Sequence, residues 1–292
     1  MSTHGIQWYG YGATGSGKCL TPASLDVLAK DFKADLLRIS MYVQEGGYET
    51  NPASFTAQVE KIVDEVTQRG MYALVDFHML NPGDPNYNLA RAKTFFAAIS
   101  KKYGAQDNIL YDIANEPNSE NGTVTWDMVR SYHQAVIPVI RANDPDAVIL
   151  LGTHGWSTLG YSDTEEQQSY MEVVNKPVNA TNVMYTFHFY AASHGQGHRD
   201  VLAAAADRLP MFVTEFGTQQ ASGDGANDFT SSQKWLDLLA AKKISWANWN
   251  YSDDMRSGAV WKTGTCGNGN GVFTEASLKD AGRWVRDKIR NR

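Results

Sequence analysis

The sequence has few cysteines and no long apolar run, and both shortages limit what the protein can be. Its 292 residues include only Cys19 and Cys266, and neither lies in a CxxC pair or a Cys/His cluster, so we expect no metal site. Without a run of about 18 apolar residues, no membrane-spanning helix is expected. The N-terminus also lacks the charged start and apolar stretch of a signal peptide, which fits either a cytosolic protein or a mature secreted form.

Positive charge is not in excess either. Lys and Arg number 26 against 32 Asp and Glu, and the net charge of -6 argues against a nucleic acid as partner. Aromatic side chains, in contrast, are abundant, with eight Trp and fourteen Tyr. Rings that are not all buried usually meet a flat or apolar ligand, and the alternative is a Trp-rich core. Composition alone leaves both alternatives open.

Length and composition fit one large domain. Hydrophobic residues make up 42% of the chain and charged residues 20%, which is enough for a substantial core. A (β/α)8 barrel needs about 250 residues, although two ordinary domains would also fit this length. Because the composition shows no break, we predict a single domain over residues 1–292 with no attached binding module.

Short apolar runs alternate with helical patterns along the chain. The segments that we predict as strands are 6–8, 36–40, 72–78, 109–114, 148–152, 183–188, 211–215 and 245–250. The predicted helices are 24–33, 55–69, 89–103, 125–143, 164–175, 199–208, 229–241 and 276–290. This strict alternation predicts an α/β fold with parallel strands, and we favour a closed (β/α)8 TIM barrel. An open doubly wound sheet is the alternative, but the glycine-rich stretch 10–17 lacks the phosphate-loop pattern that such a sheet would carry.

Polar or aromatic side chains stand at or near the ends of most predicted strands. They are Arg38, His78, Asn115 with Glu116, His188 with Tyr190, Glu215, and Trp249. The carboxyl ends of the strands of a barrel meet at one mouth, where the chemistry of this fold is found. We therefore expect these side chains to converge on one site.

Glu116 and Glu215 each follow an apolar run, where an unpaired carboxylate is costly. They could be structural, each forming a buried ion pair with a group such as Arg38. Glycoside hydrolysis, however, needs two facing carboxyl groups, one to protonate the departing oxygen and one to attack the sugar or activate water. Because the fourth and seventh strands lie across the mouth from each other, the two glutamates can serve this reaction.

The ordered motifs resemble those of glycoside hydrolase family 5, and within it the bacterial endo-β-1,4-glucanases. The segments that carry the resemblance are HGIQWYG at 4–10, LRISMY at 37–42, VDFH at 75–78, IANEP at 113–117, TFHFYA at 186–191, VTEFG at 213–217 and WANWNYSD at 246–253. Together they span residues 3 to about 253. The resemblance implies a secreted enzyme with a retaining mechanism, in which Glu116 is the acid/base and Glu215 the nucleophile.

The resemblance also implies supporting roles for neighbouring residues. Arg38 and Tyr190 would keep Glu215 ionised through a positive charge and a hydrogen bond. Asn115 would hold the sugar 2-hydroxyl, and His188 would bond to a carboxylate or to the substrate. Glu116 should be protonated in the free enzyme.

Further residues are expected to bind the substrate. Trp249 resembles the family's stacking platform beneath the reactive sugar, since a pyranose presents an apolar C–H face to a flat ring. Trp8 and Tyr42 would line the non-reducing side and Trp156 the leaving-group side, and His4 is a further substrate-binding candidate. His78 would contact either the sugar or a supporting hydrogen-bond network.

The chain departs from the family pattern after its eighth strand. Asp254 stands where the family often has a Lys that reaches a neighbouring sugar, although Arg256 lies close enough in sequence to replace it. Cys19 follows the first strand and Cys266 the eighth. Because these strands are neighbours in a closed barrel, we predict a disulfide between the two top loops, with two free thiols as the alternative.

The predicted function is therefore an extracellular, monomeric endo-β-1,4-glucanase that acts on β-glucan without a cofactor. A β-mannanase or xylanase could use the same two glutamates. A catalytically silent carbohydrate-binding barrel is less consistent with the sequence, because Glu116, Glu215 and Arg38 are all present.

Overall fold

The computed structural model describes residues 1–11, 18–163, 168–267 and 269–291. Within them, eight parallel strands follow one another around a closed barrel, and the last strand pairs with the first. The strands are β1 Ser2–Thr3, β2 Leu36–Tyr42, β3 Tyr72–His78, β4 Ile109–Asp112, β5 Val148–Leu151, β6 Val183–Tyr190, β7 Met211–Gly217 and β8 Trp246–Tyr251. The closure confirms the predicted TIM barrel over the open sheet, whose first and last strands would not pair.

Helices alternate with the strands around the barrel. They are α1 Ile6–Tyr9, α2 Pro22–Lys30, α3 Pro52–Thr67, α4 Leu89–Tyr103, α5 Trp126–Arg141, α6 His154–Ser157, α7 Met171–Asn175, α8 Gln196–Ala206, α9 Phe229–Lys242 and α10 Asp280–Arg290. Of the predicted helix 164–175, only α7 is helical among the described residues, and 164–167 lie outside them. Most of the predicted glycine-rich stretch 10–17 lies outside them too.

Helix α3 illustrates why these segments form. The Asn51 side chain caps its N-terminus by accepting the Ser54 N–H at 3.1 Å. The apolar side chains that recur at helical spacing, Val59, Ile62, Val63 and Val66, are fully buried against the barrel. The periodicity that predicted this helix therefore marks the face that packs on the strands.

The first predicted strand, 6–8, is wrong. Those residues begin helix α1, in which the Trp8 N–H donates to the Gly5 carbonyl at 3.0 Å. The strand itself is shorter and earlier, because Ser2 pairs with Arg38 on β2 and Trp249 on β8. Three residues, here Ile6, Gln7 and Trp8, are too few to show whether their period is that of a strand or a helix.

The barrel interior is apolar at its base and polar above. Leu74, Leu150 and Phe212, which come from β3, β5 and β7, form a buried cluster below the polar layer. Further along β3, on the same face as Leu74, stand Asp76 and His78. The alternation of the strands thus places a charged layer between the apolar base and the mouth.

Cys19 and Cys266 form a disulfide, as predicted. The bond joins segments 247 residues apart, which follow α1 and β8. Closing so long a loop restricts the unfolded chain and typically stabilises a fold by about 2–5 kcal/mol. None of the helices in the described ranges has the length and apolar character needed to span a bilayer.

Candidate active site

A cavity of about 770 Å³ opens at the carboxyl ends of the strands. Most of the predicted site residues line it: His4, Trp8, Tyr42, His78, Glu116, Trp156, His188, Tyr190, Glu215 and Trp249. Arg38 and Asn115 lie beneath its floor and are completely buried. The structure thus brings the predicted residues together at one mouth.

The two glutamates face each other across this cavity. One oxygen of Glu116, one of Glu215 and a ring nitrogen of His188 all lie within 4.8 Å of one another. Retaining glycosidases keep their carboxyl groups roughly 5–5.5 Å apart, whereas inverting ones need about 6.5–9.5 Å to admit a water. The spacing therefore suits direct attack on a sugar by one of the two carboxylates.

Irregular backbone aims Glu215 into the mouth. Strict alternation from Phe212, at the base of the barrel, would point Thr214 and Phe216 inward. The pairing register of β7 shifts between Val213 and Phe216, and Glu215 pairs with His188 on β6. Such a bulge re-aims side chains, so both Thr214 and Glu215 reach the interior.

Glu215 accepts two strong hydrogen bonds. The Tyr190 hydroxyl donates to Oε1 at 2.6 Å, and Arg38 Nη1 donates to Oε2 at 2.9 Å. Both donors are buried, so this carboxylate is held by a fixed positive charge and a phenol in a site of low dielectric. These are the contacts predicted for Arg38 and Tyr190.

Arg38 also contacts two acids that the sequence analysis did not single out. Asp112 lies 3.1 Å from Nε, and Asp76 lies 3.1 Å from Nη2. Burial raises the pKa of Asp76 to about 7 and that of Asp112 well above its usual range. One guanidinium cannot offset three desolvated carboxylates, and the protonation of these two reduces the competition with Glu215. The position of Asp76 two residues before His78, on one strand face, is the signal that could have identified it.

Glu116 lies in a different environment. Burial raises its pKa to about 8, with Asp76 contributing in the same direction and Arg38 opposing it. Its Oε1 lies 2.8 Å from His188 Nδ1, and His188 Nε2 lies 2.8 Å from the Thr214 hydroxyl. Burial also lowers the pKa of His188 to about 3, so this imidazole is neutral. Glu116 is thus protonated near neutral pH, as expected of an acid catalyst.

Asn115 and His78 are linked below the cavity. The Asn115 Oδ1 accepts from Arg38 Nη2 at 2.6 Å, and its Nδ2 lies 3.3 Å from His78 Nε2. The His78 Nδ1 lies 2.6 Å from Asp76. The amide of Asn115 is therefore engaged by protein groups, and His78 belongs to the hydrogen-bond network while also lining the cavity.

Aromatic rings form one wall of the cavity. Trp8 meets Tyr42 edge-on with ring centroids 5.0 Å apart, and His78 stacks between Tyr42 at 4.1 Å and Trp249 at 5.4 Å. His4 lies against Trp8 and Trp249. A continuous wall of ring faces and edges fits the apolar faces of successive sugars.

The residues after β8 complete this side. The Tyr9 hydroxyl donates to Asp254 Oδ2 at 3.1 Å, and the Arg256 N–H donates to Asp254 Oδ1 at 2.8 Å. Asp254 and Arg256 both line the cavity. Where a Lys was expected, the wall therefore carries a carboxylate held by Tyr9, with an arginine two residues on.

The opposite side of the cavity contains two histidines that the sequence analysis missed. Trp156 lies there, and beyond it His194 stacks on His198 with centroids 4.3 Å apart. The Tyr190 N–H donates to His194 Nδ1 at 3.0 Å. The four-residue spacing of the two histidines around the start of α8 was the available signal.

Three groups among the described residues bring possible metal ligands within 4.8 Å of one another: Cys19 with Asp253 and Cys266, Asp163 with His194 and His198, and Glu116 with His188 and Glu215. The two sulfurs of the first group are joined in the disulfide. In the second, His194 Nδ1 already accepts a backbone N–H, which keeps the ring proton on Nε2. In the third, the carboxylates are hydrogen-bonded to protein groups.

Comparison with known proteins places this geometry in context. The family model described as Cellulase (glycosyl hydrolase family 5) matches residues 1–255. Endoglucanase MaCel5A of Microbulbifer sp. (strain ALW1) is 58% identical over 100% of this chain and 54% of its own length. Endoglucanase E-5 of Thermobifida fusca is 53% identical over 100% of this chain and 59% of its own length. The chain thus spans less than two thirds of these curated relatives.

Solved structures agree with the fold and with the extent of the match. The catalytic domain of Thermobifida fusca endoglucanase Cel5A, solved with cellotetraose, superposes with a TM-score of 0.92 at 52% identity. That match covers 100% of this chain and 90% of the solved one. The cellulase Cel5C_n superposes with a TM-score of 0.88 at 38% identity, over 100% of this chain and 86% of its own.

Proposed function

We propose, from the premise that this chain belongs to glycosyl hydrolase family 5, that it is a retaining endo-β-1,4-glucanase acting on cellulose or soluble β-glucan. The observation that carries the proposal is the pair Glu116 and Glu215, whose nearest oxygens lie within 4.8 Å on the floor of an open, ring-lined cavity. The spacing favours retention, and the open shape favours cleavage within a chain. The two curated relatives described above are both named endoglucanases.

In the first step, Glu215 attacks the anomeric carbon while Glu116 protonates the glycosidic oxygen. The bond to the leaving sugar breaks as the ester bond to Glu215 forms, so the enzyme holds a covalent glycosyl intermediate. Arg38 and Tyr190 orient the attacking carboxylate at 2.9 and 2.6 Å. Because its pKa is raised, Glu116 still carries at neutral pH the proton that it donates.

In the second step, Glu116 acts as a base. Esterification removes the negative charge of Glu215, which lowers the proton affinity of Glu116. The ionised Glu116 then takes a proton from a water that attacks the same carbon, which releases the sugar and restores both carboxyl groups. Trp249 would support the reactive sugar, while Trp8 and Tyr42 would bind the sugars before it and Trp156 those after it.

Location and assembly belong to the same proposal. The disulfide between Cys19 and Cys266 supports an oxidising, extracellular site of action. We propose that the enzyme acts as a monomer on an oligosaccharide or polysaccharide, without a cofactor, because the groups that hold both glutamates come from this chain.

The test is release of reducing sugar from carboxymethylcellulose, mannan and xylan under the same conditions. We expect carboxymethylcellulose to be the preferred substrate, with a rapid fall in solution viscosity that marks internal cleavage. Preference for mannan or xylan would overturn the glucan assignment while leaving the two-glutamate chemistry intact.

The roles of the two acids are tested by Glu116→Gln and Glu215→Gln. Each should lower kcat by at least about 10³-fold, since each removes a group that acts in the reaction. With an activated aryl cellobioside, azide should restore turnover in both variants, giving the β-glycosyl azide with Glu116→Gln and the α-glycosyl azide with Glu215→Gln. Near-normal hydrolysis by either variant would contradict the assignment.

A further inference from the structure

His188 connects the acid Glu116 to a residue with no assigned role. Its Nδ1 lies 2.8 Å from Glu116 Oε1, and its Nε2 lies 2.8 Å from Thr214 Oγ1. His188 is 1% exposed and Thr214 0% exposed. Both nitrogens are therefore committed to protein partners, and the position of the single ring proton depends on those partners.

Hydrogen-bond satisfaction selects one tautomer. If Nε2 carried the proton, Thr214 Oγ1 would accept it, and the Thr214 hydroxyl proton would need another acceptor. Among the described residues, Thr214 Oγ1 has no second hydrogen-bond partner, and leaving a buried donor without an acceptor is unfavourable. With the proton on Nδ1 instead, Thr214 donates to Nε2 and His188 donates to Glu116, so all three groups are satisfied.

The selected tautomer also determines which oxygen of Glu116 carries the acid proton. Oε1 accepts from His188 Nδ1–H, which leaves the proton on Oε2, and Oε2 has no hydrogen-bond partner among the described residues. The opposite tautomer would present a lone pair to Glu116, whose proton would then be drawn to His188 instead of the substrate. The same Nδ1–H also stabilises the carboxylate after it has given up its proton, so the histidine serves both steps without changing tautomer.

We propose that Thr214 is a positioning residue for the acid/base: its hydroxyl holds the His188 proton on Nδ1 and thereby keeps the acid proton of Glu116 on the oxygen that is free for the glycosidic bond. This inference rests on the proposed function. The fold supports it, because the β7 bulge that turns Glu215 into the mouth leaves Thr214 on the inner face beside His188.

The kinetic test compares Thr214→Val, which removes the hydroxyl from a nearly isosteric side chain, with Thr214→Ser, which keeps it. Substrates are phenyl β-cellobioside, which needs protonation of its leaving group, and 2,4-dinitrophenyl β-cellobioside, which needs little. Thr214→Val should lower kcat/KM about 10-fold or more for the phenyl substrate and less than about threefold for the dinitrophenyl one. Thr214→Ser should restore the phenyl activity.

A pH profile adds a readout that loss of packing would not change. Without a pinned Nδ1–H donor, the ionised form of Glu116 loses stabilisation, so the alkaline limb of kcat/KM in Thr214→Val should move to higher pH. The matched control is Thr218→Val, since Thr218 is an equally buried threonine just after β7 that donates to Asn227 instead. It should show neither the leaving-group dependence nor the shifted limb.

A direct measurement needs no variant of Thr214. In ¹⁵N NMR spectra of the wild-type protein, with the signal identified by its absence in His188→Asn, His188 should show a protonated Nδ1 and a bare Nε2. A proton on Nε2, or an equal loss for both aryl substrates in Thr214→Val, would overturn the inference. Absence of wild-type activity on both cellobiosides would instead contradict the proposed function.

Discussion

At the scale of single residues, the site depends on how one buried cation is shared. Arg38 lies within 3.1 Å of Asp76, Asp112 and Glu215. Burial raises the pKa of both aspartates, which favours their neutral forms and so weakens their competition with Glu215 for the guanidinium. The environments of the two glutamates thus differ, because Arg38 and Tyr190 donate to Glu215 whereas Glu116 contacts a neutral histidine, and this difference suits the roles proposed for them.

The pKa of Glu116 predicts the alkaline limit of activity. The reaction needs this acid protonated, and its pKa of about 8 means that kcat/KM should fall as pH rises through about 8. The measurement is kcat/KM for cellotetraose between pH 5 and 10. With 2,4-dinitrophenyl β-cellobioside, which needs little acid help, the alkaline limb should be weak. A limb below pH 6, or an equal limb for both substrates, would contradict the role of Glu116.

The sequence predicts most of the site residues near the ends of strands and misses three that lie within strands, Asp76, Asp112 and Thr214. Glu116 and Glu215 stand out because each follows an apolar run, and a charge there needs a reason. Asp76 and Asp112 lie inside such runs, and the sequence does not single them out because only the closed barrel brings them to Arg38. Thr214 could not be identified, because regular alternation does not predict that it and Glu215 both face inward.

At the scale of elements, the strands were predicted well where their apolar runs exceeded four residues. Strand β3 and helix α4 have the predicted bounds, because buried parallel strands and amphipathic helices of this length have distinct periods. Strand β1 failed because its two residues, Ser2 and Thr3, are polar and are held by pairing to β2 and β8. That pairing forms only when the barrel closes, so the local sequence does not predict it.

The contact between the ends of β4 and β5 leads to a testable prediction. A Cβ on Gly152 would overlap the Ala114 carbonyl oxygen, a main-chain atom that cannot move without shifting Asn115 and Glu116. Gly152→Ala should therefore cost about 2 kcal/mol or more of unfolding free energy and lower kcat/KM about 10²-fold, since small misplacements of catalytic groups are costly. Urea denaturation and kinetics measure the two effects.

The matched control for this prediction is Gly195→Ala. A Cβ there meets nothing within 4 Å, and the residue lies at the N-terminus of α8 instead of against β4. Its unfolding free energy should change by less than about 1 kcal/mol, and its kcat/KM should stay near that of the wild type. If Gly152→Ala behaved like Gly195→Ala, the close packing of β4 on β5 would not be what positions Glu116.

At the scale of the whole molecule, folding buries titratable groups both inside the barrel and among the helices and loops around it. All seven histidines, His4, His78, His133, His154, His188, His194 and His198, have a pKa lowered chiefly by burial. The pKa of Glu116 and of Asp76 is raised to about 8 and about 7, and that of Asp112 is also raised. Folding therefore releases protons from the histidines and takes up protons at these carboxyl groups.

The two sets together predict an optimum pH for stability. Below about pH 6.5 the unfolded histidines bind protons that the folded ones do not, so stability falls as the pH drops below this value. Above pH 6.5 the histidines are neutral in both the folded and the unfolded state. The folded carboxyl groups, however, keep protons that the unfolded ones have lost, so stability falls as the pH rises to about 8. Histidines outnumber these acids, which puts the maximum of stability near pH 6.5.

Urea midpoints should be highest between about pH 6 and 7 and lower at 5 and 8. His133→Gln should flatten only the acidic side, because it removes one histidine and none of the acids, and a midpoint that changed in one direction from pH 5 to 8 would contradict this balance.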